Sequence, residues 1–253
     1  MRKTMVDVPT ADGIVDAYLA VPDGHGPFPG VLFFMDAFGL RPRIHEMAER
    51  IAERGYAVLA PNLLYRGGRA PLADLKGLTD PEERGRIFGR IRPLIEALDT
   101  AAITRDTRAY LDFLAAQDGV SAGPDAVVGY CMGGNNALKA MAAYPERIVA
   151  LASFHGAQLA TGEPDSPHLR IGEIKGEVYF AHADQDPAMP REQIDRLEAA
   201  LDAADVPFRS EIYPGAAHGF AMADTAAFSA EAEKRHWEKL FELLDHALPT
   251  PAH

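Results

Sequence analysis

One cysteine stands in the 253 residues, so no internal disulfide can form and the fold must rest on its core. A thiol that stays free suits a reducing compartment, and the expected location is the cytoplasm. Nowhere do about 20 apolar residues run together, which excludes a membrane-spanning helix. The first residues, MRKTMVDVPTADGIVD, carry positive charge without the apolar core of about 7–15 residues that a secretory signal needs. Positive charge is itself scarce: 25 Lys and Arg face 37 Asp and Glu, a net charge of −12. That balance argues against a nucleic acid or an anionic membrane as partner and says little about a small substrate. Repeats, low-complexity tracts and Ser/Gly linkers are also missing. What is present is an ordinary globular composition, 47% apolar and 25% charged, enough for a single domain spanning residues 1–253.

Short apolar runs alternate with segments of helical period, the pattern of an α/β fold whose mostly parallel central sheet carries helices on both faces. GVLFFM at 30–35 reads as a strand buried on both sides. The helix expected over 43–54 places Ile44, Met47, Ala48, Ile51 and Ala52 on one stripe, and Gly55 closes it. Strands are expected at 56–61, 125–130, 148–154, 177–182 and 209–214. Helices are expected at 100–114, near 190–203 and near 224–246, the last buried through Trp237, Leu240, Phe241, Leu244 and Leu248. Residues 3–21 suggest an antiparallel hairpin turning at Asp12-Gly13. Residues 62–98 exceed a normal strand-to-helix loop and read as an excursion near the pocket.

The lone cysteine lies in VVGYCMGGNN, residues 127–136. Gly129-Tyr130-Cys131-Met132-Gly133 has the form of a nucleophile elbow, a sharp strand-to-helix turn with a small residue two positions either side. A bare cysteine is more often a buried hydrophobe; here the strand before it and the helix start after it favour a thiolate. An elbow enzyme also needs an acid and then a histidine, in that order. VYFAHADQDPAMP at 178–190 supplies Asp184 and Asp186 at the carboxyl end of a strand, and IYPGAAHGF at 212–220 supplies His218 before the last helix. His218 would manage the thiol proton, and the carboxylate would fix its tautomer. Oxyanion stabilisation needs two backbone amides, expected at Met132 and, in the DAFGL loop at 36–40, at Ala37. Asp36 sits at the mouth of that loop.

Two competing readings belong to other classes. His182, Asp184 and Asp186 alternate along an extended segment and could line a metallohydrolase site, with His155 as a further ligand. A non-catalytic binding protein on a hydrolase scaffold would normally lack a triad member, and none is missing here.

Taken together, MDAFGLRPRIHEMAERIAERGYAVLAPNLLYR, GYCMGG, DQDP and AAHGF resemble the dienelactone hydrolase family from about residue 10 to 245. The resemblance implies an α/β-hydrolase fold, a Cys-His-Asp triad of Cys131, His218 and Asp186, and no cofactor or metal. It is what selects Asp186 over Asp184, because the family's acid follows a Gln-containing turn, here Gln185. The implied reaction is hydrolysis of a lactone or activated ester through a cysteine acyl-enzyme, with general carboxylesterase or thioesterase activity as the alternative on the same scaffold. Two departures stand out. Asp36 occupies the place of the family's oxyanion-loop Glu, and GFAMAD after His218 lacks the arginine that binds a substrate carboxylate. A substrate carboxylate would be held only if Arg66, Arg69 or another cation of the 62–98 excursion substitutes; Asp36, Tyr65, Arg66 and His155 are the expected pocket residues.

Overall fold

The computed structural model describes residues 1–249; residues 250–253, the end of the expected domain, lie outside the described residues. Strands β1 (Arg2–Thr10) and β2 (Gly13–Val21) form the hairpin. They are followed by β3 (Gly30–Phe34), α1 (Pro42–Ala52), β4 (Ala57–Pro61), α2 (Pro81–Glu96) and α3 (Thr100–Ala115). The second half runs β5 (Asp125–Tyr130), α4 (Met132–Ala143), β6 (Ile148–Phe154), β7 (Glu177–Ala183), α5 (Arg191–Ala203), β8 (Phe208–Tyr213) and α6 (Ala230–Ala247). All eight strands join one sheet in the order β1-β2-β4-β3-β5-β6-β7-β8. Pairing is antiparallel for β1–β2 and β2–β4 and parallel from β4 through β3 to β8.

Every residue of β3, β4 and β5 is buried. Successive side chains of a strand point to opposite faces, so burial of all of them means that helices cover the sheet on both sides. The α1 stripe is the expected one, Ile44, Met47, Ala48, Ile51 and Ala52, and Gly55 ends the segment with φ at 96°.

Three local expectations need correction. The hairpin turns at Ala11-Asp12, since Thr10 pairs with Gly13 and Gly13 already opens β2. The 62–98 excursion contains a helix: α2 occupies Pro81–Glu96 and buries only Ile87 and Ile91, too thin a stripe for periodicity to reveal. Its signal was in the cap, where the Asp80 carboxylate accepts the Glu82 and Glu83 amides ahead of Pro81. Helix α6 starts at Ala230, six positions later than expected, because the Ser229 hydroxyl caps it by accepting the Ala232 amide. Within α6, His236 and Leu243 join the buried stripe, whereas Phe241 is half-buried under the Arg54 guanidinium.

Parallel strands all end at the same edge of the sheet. The carboxyl ends of β3, β5, β7 and β8 therefore bring four distant loops together, where sites in such sheets are built.

Candidate active site

Cys131 follows the last residue of β5 and caps α4 with φ 55° and ψ −119°, a conformation that costs a non-glycine residue about 1–3 kcal/mol and is held by its surroundings. The flanking glycines show how. A Cβ on Gly129 would lie 2.3 Å from the Gly133 carbonyl oxygen, and one on Gly133 would lie 2.2 Å from that of Phe34. The elbow thus presses against both its own helix and the end of β3, and no side chain fits at either point. Cys131 is partly exposed, while the chain around it is buried.

His218, in the loop after β8, places Nε2 3.1 Å from Cys131 Sγ. Its Nδ1 lies 2.6 Å from Asp186 Oδ2, and Asp186 is fixed by accepting the Ala188 amide on Oδ1 at 2.8 Å. The Gln185 turn that delivers the acid has φ 54°. Burial pushes the His218 pKa down, but the Cys131 thiolate and the bond to Asp186 outweigh it and carry it up to about 10. The arrangement favours a protonated His218 ring facing the Cys131 sulfur. His155 packs its ring edge-to-face on His218 at 5.3 Å and on Phe220 at 4.9 Å. Its buried ring nitrogens have no protein partner, and burial keeps its pKa well below the ordinary value, so it is a neutral wall behind the triad histidine.

The loop after β3 carries Asp36 and Ala37. Among the described residues, neither the Ala37 amide nor the Met132 amide donates to a protein group, and Met132 is the first residue of α4, where amides have no intrahelical partner. Asp36 has no bond to the thiol. Its carboxylate accepts the Phe38 amide at 3.1 Å and a bidentate pair from Arg41 at 2.6 and 2.9 Å. Arg41 in turn reaches Asp224, in the loop that follows His218, at 2.5 and 3.1 Å. A cavity of about 240 Å³ opens between Arg41 and Asp224 on one side and Leu75, Leu78 and Thr79 of the excursion on the other. The sequence reading missed the part played by Arg41 and Asp224.

Tyr65 and Arg66 are not brought to the triad. Tyr65 is bonded to Thr10 at 2.9 Å and to Asp106 at 3.2 Å, and Arg66 to Asp106 at 2.8 Å and Asp12 at 2.5 Å. Arg69 pairs with Asp7 at 2.7 Å. These contacts tie the hairpin to α3 and correct the expectation that these residues line the pocket. The alternating trio also diverges. His182 meets the Ser210 hydroxyl at 3.2 Å, Asp184 accepts the Gly215 amide at 3.0 Å, and Asp186 belongs to His218. No cluster with metal-holding potential occurs among the described residues.

Residues 15–248 match the sequence profile of the dienelactone hydrolase family. The chain belongs to that family. It is 27% identical over 234 residues to a carboxymethylenebutenolidase of Rhodococcus opacus, covering 91% of this chain and 86% of the relative. A dienelactone hydrolase-like promiscuous phosphotriesterase from metagenomic libraries superposes with a TM-score of 0.74 at 25% identity, covering 98% of this chain and all of the other (100%). The dienelactone hydrolase of Anabaena variabilis shares the fold at a TM-score of 0.69 and 21% identity, with 98% and 99% of the two chains covered. The family member described here is therefore a hydrolase of the α/β-hydrolase fold. No helix among the described residues is long and apolar enough to cross a membrane.

Proposed function

We propose that this hydrolase opens a lactone or an activated ester through a thioester acyl-enzyme on Cys131. The observation that carries the reading is the unbroken relay from Asp186 through His218 to the Cys131 sulfur, with contacts of 2.6 and 3.1 Å. The thiolate attacks the carbonyl carbon and the π electrons move to oxygen, where the Ala37 and Met132 amides stabilise the negative charge. Collapse expels the alkoxide, which takes the proton from His218 Nε2. Water then gives a proton back to Nε2 as it attacks the thioester, and the carboxylic acid leaves with Cys131 again a thiolate. Asp186 keeps Nδ1 protonated throughout.

A substrate carboxylate beside the site would need a cation other than Arg41, Arg66 or Arg69. Arg41, Arg66 and Arg69 all donate to carboxylates of the chain itself, and an unpaired substrate carboxylate in a pocket is costly. Iodoacetamide tests the nucleophile: activity toward an aryl ester should vanish as mass spectrometry finds the label on Cys131, whereas activity surviving complete labelling would sink the reading. A panel of lactones, aryl esters and thioesters, each with and without a carboxylate, then ranks the substrate class.

A further inference from the structure

Arg41 is almost wholly buried, with its side chain 3% exposed. All five of its N–H groups are engaged. Nη1 donates to Asp36 Oδ1 at 2.6 Å and to the Gly39 carbonyl at 3.2 Å; Nη2 donates to Asp36 Oδ2 at 2.9 Å and to Asp224 Oδ1 at 3.1 Å; Nε donates to Asp224 Oδ2 at 2.5 Å. A guanidinium has five donors and no acceptor, so this one has no donor left for a ligand. Burying such a charge is unfavourable unless partners surround it, and two bidentate carboxylates do so here.

The two carboxylates stand at informative places. Asp36 immediately precedes Ala37, whose amide we assign to the oxyanion. Asp224 lies in the loop headed by His218, which continues through the buried Phe220, Ala221 and Met222. Ala37 and Leu40 pack the 36–40 segment into the core, but its own hydrogen bonds are few: a turn from the Gly39 amide to the Asp36 carbonyl and the Phe38 amide to the Asp36 side chain. Arg41 joins the Asp36 carboxylate of the oxyanion loop to Asp224 of the histidine loop, 183 positions away from it in the chain, and beside it Arg43, at the start of α1, donates to the Ala221 carbonyl of the histidine loop at 2.9 Å.

We propose that Arg41 is a positioning residue: by gripping Asp36 and Asp224 together it holds the Ala37 amide at a fixed place relative to the catalytic histidine loop. The proposal rests on the acyl-enzyme reading above. Oxyanion donors act only when aimed within a fraction of an ångström, and misplacing them costs on the order of 10²-fold in rate.

Single-turnover acylation by an aryl ester, run beside alkylation of Cys131 by iodoacetamide, separates the possibilities, because alkylation uses Cys131 and His218 but forms no oxyanion. Arg41→Met alone would leave Asp36 buried and unpaired, so two other variants serve. Asp224→Asn changes the partner whose side chain is 33% exposed; the combined Asp36→Asn, Arg41→Met, Asp224→Asn variant leaves no unpaired charge. Acylation is expected to fall roughly tenfold in the first and about 100-fold in the second, with KM and the pH profile of alkylation within about twofold of the unmodified enzyme. Unchanged acylation in both variants would overturn the proposal, as would a parallel loss of alkylation, which would place the effect in the triad. Failure of the acyl-enzyme reading is recognised separately, since the unmodified enzyme would then turn over without acylating Cys131.

Discussion

Two arginine knots in this molecule use the same chemistry for different ends. Arg41 and Arg66 each join two carboxylates from distant parts of the chain. Arg66 ties the hairpin turn at Asp12 to Asp106 of α3 and is 31% exposed. Arg41 is buried and joins the two loops that carry the site. An ion pair's consequence thus depends on what its partners are attached to, and the distinction is invisible in composition.

The largest expected effect lies within the site itself. Asp186→Asn should lower kcat by roughly 10³–10⁴-fold, as loss of a triad acid does elsewhere, while Asp184→Asn, whose partner is the Gly215 amide, should change it only a few-fold; steady-state kinetics that reversed this ranking would move the acid to the other carboxylate. Next come the glycines. Gly133→Ala drives a Cβ to 2.2 Å from a backbone oxygen and should destabilise by at least about 2 kcal/mol in urea unfolding. Gly85→Ala or Gly89→Ala, with nothing within 4 Å in α2, should instead stabilise by roughly 0.5–1 kcal/mol. A matching response at 133 and 85 would contradict the packing described at the elbow.

The arginine comparison is sharpened by Arg66→Met. Buried Asp106 then keeps only the Tyr65 hydroxyl and loses its positive partner, so the melting temperature should fall while kcat toward an aryl ester stays within about twofold; a tenfold loss of kcat would bring Arg66 back to the site. The smallest effect is a titration. The folded pKa of His218, about 10, lies above the ordinary 6.5, so protonation of the ring stabilises the fold fully below pH 6.5, and that support is lost as pH rises through about 10. By nitrogen NMR the ring should remain charged at pH 8. In Cys131→Ser the thiolate is gone and the titration should move toward 6.5; an unmoved midpoint would mean that Asp186 alone holds the proton.

Most of this architecture is legible in the amino-acid sequence. Continuous apolar runs located the buried strands, and the small-x-Cys-x-small pattern located the elbow because backbone crowding there admits only glycine at 129 and 133. That an acid and then a histidine should follow Cys131 is expected from how parallel strands deliver their loops to one edge, whereas the choice of Asp186 over Asp184 rests on the family resemblance alone. Helix α2 escaped because it buries two side chains and is declared by its cap. Arg41 and Asp224 escaped because their pairing spans 183 positions and neither carries a local pattern. Tyr65 and Arg66 were assigned to the pocket by position after β4, yet the chain turns there toward the hairpin and α3 instead.

The central claim is a covalent one, and intact mass measured on enzyme quenched during turnover of an aryl ester tests it most directly. The account predicts an acyl increment that maps to Cys131 and disappears as hydrolysis finishes. Full turnover in Cys131→Ala, or an acyl group found on another residue, would contradict it.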